Sequence, residues 1–165
     1  MRIVVFSDSH GNTANMASVL RACRPDCVIF LGDGMQDILR VQAQFPDLPF
    51  HILTGNCDGR CADFEDSLLL DLDGVRIFCA HGHNHGVKFG LNSFCNSVWC
   101  SGAALGLYGH THTPLWQDIR GMQIMNPGSI GDRLHPSYGL VEITGGTVSC
   151  KIPSHIPSNT MEENI

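Results

Sequence analysis

The sequence predicts an α/β fold in which two mixed β-sheets pack together with helices outside, an αββα order of layers. Three observations lead there. In the first half, short apolar runs alternate with segments of helical periodicity. In the second half, apolar runs come in pairs across two-residue turn signals. No repeat, low-complexity tract or linker divides the chain, so residues 1–152 are read as one domain.

Taken in order, residues 3–6 form a continuous apolar run, the pattern of a strand buried on both faces. Residues 13–23 place Met16, Val19, Leu20 and Cys23 at helical spacing, with Asn12 or Thr13 available as N-cap. A second buried strand over 28–31 ends at Gly32, and Ile38, Leu39 and Val41 give a helix over 36–44 its apolar side. The third strand, 52–53, ends at Gly55. Ser67–Leu72 and Val75–Ala80 then flank Asp73-Gly74, a strong hairpin signal. A helix over 91–100 and a strand at Leu105–Tyr108 follow. Leu115–Ile119 pairs with 122–125 across Arg120-Gly121, and 138–143 pairs with 148–152 across Gly145-Gly146. Residues 153–165 are read as a flexible polar tail.

Composition narrows the function classes. Hydrophobic residues make up 43% of the 165 positions and charged residues 16%, the balance of a compact chain. A chain of this size buries about 70% of its unfolded surface and needs no disulfides for stability. Its eight cysteines include Cys27, Cys79 and Cys95 in apolar runs, where a thiol behaves as a small hydrophobe. The spacings Cys23/Cys27, Cys57/Cys61 and Cys95/Cys100 differ from the pairs of structural zinc sites. The start has an apolar run too short for a signal peptide, and no stretch approaches a membrane span, so the expected place is a reducing cytoplasm with no membrane partner. Net charge is −6 and the ten Lys and Arg are scattered, which argues against extended nucleic-acid binding. Small anions remain accessible, because bound metals can supply positive charge locally.

The chemistry is concentrated at strand ends. Six of the nine histidines fall in Asp8-Ser9-His10, His81-Gly82-His83-Asn84-His85 and Gly109-His110-Thr111-His112. Gly32-Asp33 and Gly55-Asn56-Cys57-Asp58 also follow predicted strands. All five places are carboxyl ends of strands entering glycine-containing turns, where α/β sheets build their sites. Asp8 and His10 are two apart, so in extended chain they would point to one side, and His110 and His112 repeat this spacing. Carboxylates, imidazoles and one amide suit borderline divalent ions such as Mn²⁺, Zn²⁺ or Fe²⁺. Singly, Asp33 or Asn56 reads as an ordinary turn residue; the combination would need five coincidences at equivalent strand ends.

In this order the motifs Asp-x-His, Gly-Asp, Gly-Asn, a strand-end His and Gly-His-x-His resemble the calcineurin-like metallophosphoesterase family, over nearly the whole domain. Gly55-Asn56-Cys57-Asp58, His81-Gly82-His83 and Asn126-Pro127-Gly128-Ser129 are most similar to its small bacterial and archaeal phosphodiesterases. The resemblance implies a metallophosphoesterase-like fold and two divalent ions, manganese first, with zinc, iron or nickel as alternatives. Asp8, His10 and His112 would hold one ion, Asn56, His81 and His110 the other, and Asp33 would bridge. Two divalent ions bring about +4 and the carboxylates of Asp8 and Asp33 remove 2, which leaves roughly +2 for hydroxide and phosphate. Ions about 3.5–4 Å apart can present a bridging hydroxide in line with phosphorus.

Asp33, Asn56 and His83 are therefore the expected catalytic residues, and Asn12, Asn56 and His83 the expected substrate-binding ones. Asp37 and Asp58 are read as groups beside the ligands or the substrate, and residues 126–129 as a loop turning under the site. One departure stands out: where many phosphomonoesterases of the family carry a His after Gly-Asn, this chain has Cys57, a poor general acid. The expected function is hydrolysis of a small phosphate diester. The alternatives are a phosphomonoesterase and a catalytically weak metal-binding scaffold of the kind a eukaryotic trafficking subunit exemplifies. A homodimer is left open.

Overall fold

The apolar run at the amino end forms β1 (Arg2–Phe6), and its side chains from Ile3 to Phe6 are fully buried. A computed structural model describes residues 1–59 and 64–157 of the chain. Helix α1 (Thr13–Cys23) starts where Asn12 Oδ1 accepts the Asn15 N–H at 3.2 Å, and it buries Met16, Val19 and Leu20. Strand β2 (Cys27–Phe30) is buried throughout. Helix α2 (Met35–Gln42) stops two residues before the expected end, because Gln44 and Phe45 donate to the carbonyls three residues back and tighten the last turn. Strand β3 (Phe50–Ile52) begins earlier than the apolar pattern indicated: polar His51 interrupts the run, yet pairs with Ile29.

The second half is built from hairpins and one parallel insertion. Strands β4 (Ser67–Leu72) and β5 (Val75–Ala80) pair antiparallel, as do β7 (Leu115–Ile119) with β8 (Met122–Asn126), and β9 (Gly139–Thr144) with β10 (Thr147–Lys151). Their turns, Asp73-Gly74, Arg120-Gly121 and Gly145-Gly146, have positive φ at both central residues, the primed geometry that matches strand twist. A short 3₁₀ turn (His83–His85), helix α3 (Asn92–Cys100) and strand β6 (Leu105–Tyr108) complete the order.

Among the described residues, ten strands form two five-stranded sheets, β10-β9-β1-β2-β3 and β4-β5-β6-β8-β7. Both are mixed: β1–β2, β2–β3, β5–β6 and β6–β8 are parallel. Ile3, Val5, Cys27 and Ile29 of the first sheet pack against Ile77, Cys79, Leu105 and Leu107 of the second. Beneath α1 and α2, Val4, Phe6, Val28 and Phe30 fill the outer face of the first sheet. Phe94 and Val98 of α3 cover the second sheet over Ile124 and Tyr108. This is the expected αββα sandwich.

Seven cysteines among the described residues are free thiols, three of them (Cys27, Cys79, Cys150) buried; Cys61 lies outside those residues. No helix among them is long and apolar enough to cross a membrane. Of the tail, Ile156 packs against the α1–α2 core, and residues 158–165 lie outside the described part. The contact between α3 and β6 depends on Gly106, where a Cβ would lie 2.6 Å from Val98 Cγ2 and 3.0 Å from Phe94 Cε1. Gly106→Ala is expected to cost about 1–3 kcal/mol of stability by overpacking, read as a lower midpoint in urea unfolding with an unchanged m-value.

Candidate metal centre

The six strands in the parallel ladders point their carboxyl ends to one edge of the sandwich, and each runs into a loop that carries polar side chains. Asp8 and His10 follow β1, Asp33 follows β2 and Asn56 follows β3. From the second sheet, His81 follows β5, His110 and His112 follow β6, and Asn126 ends β8.

The loops leave their strands in left-handed backbone. Asp8, His10, Asp33, His110 and His112 have φ of 55°, 43°, 60°, 66° and 58°. Their convergence therefore does not arise from the alternation of extended chain that the two-residue spacing suggested. Asp, Asn and His enter this region more readily than other side-chain-bearing residues, though each such residue costs about 1–2 kcal/mol. Backbone bonds between neighbouring loops hold the geometry: Asp8 N donates to Gly32 O at 2.9 Å, Ser9 N to Asp33 O at 3.0 Å, and Gly109 N to His81 O at 3.0 Å.

Two triads of potential ligand atoms result, Asp8–His10–His112 and Asp33–His81–His110, each with its atoms within 4.8 Å of one another. In the first, Asp8 is fully buried; its Oδ2 accepts the Ser7 hydroxyl and the His110 N–H, while its Oδ1 has no hydrogen-bond partner. That oxygen lies 3.1 Å from His112 Nε2 and 3.9 Å from His10 Nε2, and the two imidazole nitrogens stand 3.3 Å apart. A buried carboxylate oxygen without a donor, facing two converging nitrogens, fits a cation.

In the second triad, His81 is fully buried and its Nδ1 donates to Leu31 O at 2.8 Å. That bond fixes the tautomer and leaves Nε2 facing Asn56 Oδ1 at 3.2 Å and Asp33 Oδ2 at 3.4 Å. Burial opposes charge on both partners, but the pairing outweighs it. The bond to His81 and the Cys57 N–H hold the Asp33 carboxyl below the usual carboxylate range. Against burial, Asp33, Asp8 and the Leu31 carbonyl raise His81. A metal ion would take the place of the His81 proton opposite Asp33.

His83 stacks beside this triad, its ring centroid 5.4 Å from that of His81 and 6.1 Å from that of His110. Burial first, then the neighbouring His81, lower its proton affinity. Asn12 lines the basin beside His10, with its Oδ1 engaged as the α1 cap. Cys57 is exposed next to Asn56; its thiol is pushed up first by hydrogen bonding to Asp33 and then by burial, so it stays protonated.

Asp37 and Asp58 face backbone. Asp37 Oδ2 accepts Ser9 Oγ and Gly11 N, both at 2.7 Å. Asp58 accepts four backbone N–H groups at 2.7 Å, from Asp33, Gly34, Met35 and Gly55, and so ties the loop after β2 to the loop after β3. Residues 126–129 do turn beneath the site: Asn126 Nδ2 donates to Gly109 O and Thr111 Oγ1 at 2.9 Å, and Ser129 Oγ to Asp8 O at 2.7 Å. Ser7 and Ser9 were not legible as site residues, and Ser129 was legible only as part of the loop over 126–129. A serine at a strand end carries no pattern of its own, and only its burial reveals the role.

Because Asp58 serves two ligand loops at once, Asp58→Asn is expected to leave two of its four N–H donors without an acceptor. Metal affinity should fall about 10–100-fold, measured by competition with a chelating indicator. Retained affinity would show that the loops hold their geometry without this brace.

Comparison with known proteins agrees with the geometry. Over 133 residues the chain is 32% identical to a Bacillus subtilis protein named a probable metallophosphoesterase, YsnB, covering 79% of this chain and 75% of that one. It is 26% identical over 163 residues to a phosphodiesterase of Methanocaldococcus jannaschii, covering 86% and 93% of the two chains. A crystal structure of a predicted phosphoesterase from Streptococcus pneumoniae superposes with a TM-score of 0.77 at 26% identity, over 93% of this chain and 88% of that one. Residues 1–146 match the calcineurin-like phosphoesterase superfamily domain, and the chain belongs to that family.

Proposed function

We propose that this protein is a two-metal phosphodiesterase acting on a small phosphate ester. The observation that carries this reading is the pair of adjoining ligand triads, with the Asp8 Oδ1 buried and unpartnered in one of them. Asp8, His10 and His112 would hold one ion; His81, His110 and Asn56 would hold the other. Asp33 would bridge, and its position supports this: it shares a basin of about 240 Å³ with His10 while facing His81 at 3.4 Å.

Two divalent ions, manganese first, would supply a hydroxide nucleophile for in-line attack and neutralise charge on the phosphoryl oxygens. The chain's own residues do the positioning. Leu31 O orients His81 through Nδ1, and the His110 N–H orients Asp8. Asn56 and His83, both beside His81, would face a phosphoryl oxygen or a leaving group, and Asn12, which lines a basin with His10, would meet the substrate from that side. The relative from Methanocaldococcus jannaschii supports the preference for diesters. Free thiols among the described residues suit the cytoplasm. A homodimer is compatible with the site as built.

Reconstitution with excess Mn²⁺ is expected to load close to two ions per chain by elemental analysis, with turnover of bis(4-nitrophenyl) phosphate. One ion or none would sink the binuclear reading, and two ions without turnover would favour a scaffold. Asp33→Asn should lose more rate and metal than His83→Asn, whose loss is expected within about 10–100-fold.

Cys57, whose thiol is pushed up first by Asp33 and then by burial, is a poor candidate for a strong general acid. The rate should therefore depend steeply on leaving-group pKa, and Cys57→His should help alkyl leaving groups more than nitrophenyl ones. Rates over a leaving-group series decide this; a flat wild-type dependence would show that protonation is already supplied.

A further inference from the structure

One basic side chain at the metal centre has no part in the reading above. Arg133 lies on the loop after β8, in a basin of about 350 Å³ whose other walls are His10, Gly11, Asn12, Thr13, Ala14 and Gly131. It is exposed, and it makes no ion pair or side-chain hydrogen bond among the described residues. Several other cations are engaged: Arg2 with Glu142 at 3.0 Å, Arg76 with Asp71 at 3.1 Å, and Arg21 with Gln44 at 3.2 Å.

The loop that carries Arg133 is held against the ligand turn. Ile130 N donates to Ser7 O at 3.1 Å and Gly131 N to Asp8 O at 3.2 Å. Asn15 Nδ2 donates to Ile130 O at 3.1 Å, so α1 grips the same segment. At Gly131 a Cβ would collide with the carbonyl of Ser9, which is why the loop can sit directly on the Asp8–His10 turn. Beyond it, Asp132 Oδ1 accepts the N–H groups of Leu134 and His135 at 2.8 Å, and Ser137 N closes the loop onto Ser129 O at 3.1 Å. The bonds to Asp132 fold the loop tip around Arg133, and its carboxylate is turned to backbone rather than to the guanidinium.

We infer that Arg133 is a specificity-determining residue, which selects diesters whose non-reacting arm carries a second anionic group, a carboxylate or a further phosphate. The metals would hold the reacting phosphate; the guanidinium, in the same basin as His10, would receive the second anion. In a chain of net charge −6, a guanidinium without a partner among the described residues, carried beside His10 on a braced loop, is complementary to anions and to little else. This inference rests on the phosphodiesterase reading and adds the substrate class to it.

Calorimetry separates the two. Manganese-loaded protein is titrated with propylphosphonate and with 3-phosphonopropionate, which differ by one carboxylate. Wild type is expected to bind 3-phosphonopropionate on the order of tenfold more tightly, Arg133→Ala to bind both alike, and Arg133→Lys to keep part of the preference. All three proteins should carry the same metal content. Equal affinities in wild type, a preference that survives in Arg133→Ala, or equal weakening of both ligands would each overturn the assignment. The last would place Arg133 on the reacting phosphate. Failure of both phosphonates to bind metal-loaded wild type would overturn the phosphodiesterase reading itself, and this inference with it.

Discussion

The metal centre depends on how closely the carboxyl ends of two parallel ladders can approach. Glycine makes that approach possible at several places, three of which show the principle. At Gly109 a Cβ would collide with Ser7 Oγ, at Gly32 with the backbone of Gly55, and at Gly131 with Ser9 O. Each contact joins two ligand loops, or a ligand loop to its support. A side chain at any of them would force the neighbouring loop to shift. The sheets contribute the frame, and these glycines bring Asp8 and Asp33 within reach of the histidines.

Proximity has an electrostatic consequence. Asp8 is fully buried and Asp33 nearly so, and a buried carboxylate without compensation costs several kcal/mol. Asp33 gains the Cys57 N–H and the His81 imidazole, whereas Asp8 retains an oxygen that no donor reaches. Five strained backbone positions surround the same atoms. Strain of this kind persists only where the surrounding structure over-determines it. Here the inter-loop bonds, the Asn126 and Ser129 contacts and the four N–H groups gathered by Asp58 do so. The result is a rigid, acidic pair of triads that a divalent cation would neutralise. An acidic chain could attract phosphate only after that neutralisation.

Asp37 and Asp58 show why a carboxylate near a site is ambiguous in sequence. Both follow ligand motifs closely enough to suggest contact with metal or substrate. In the folded chain Asp37 accepts the Ser9 hydroxyl and the Gly11 N–H, and Asp58 four backbone N–H groups, so each acts through the geometry of the loops. Cys57 differs: it stands at the site, its backbone N–H donating to Asp33 and its Sγ accepting from Asn56 Nδ2, and the neighbouring Asp33 carboxylate pushes its thiol up. Asn12 divides its side chain between the two possibilities, capping α1 with Oδ1 while lining the basin beside His10.

The sequence by itself determined the layers and pointed to residues that the loops bring together. Apolar runs, helical spacing and three two-residue turns are local properties. Periodicity and turn chemistry suffice to read them, so the strands and helices fell within a few residues of their observed ends. The candidate residues were legible because they follow strands in short motifs, and their grouping into two sets followed from the family resemblance. Tertiary structure decided what no local pattern contains. The left-handed backbone of Asp8, His10, Asp33, His110 and His112 replaced the extended geometry that their spacing implied, since it is imposed by bonds from other loops. The burial of Ser7, Ser9 and Ser129, the four-fold grip of Asp58 and the seat of Arg133 arise from contacts between segments far apart in the chain. Those contacts exist only once the two sheets have packed.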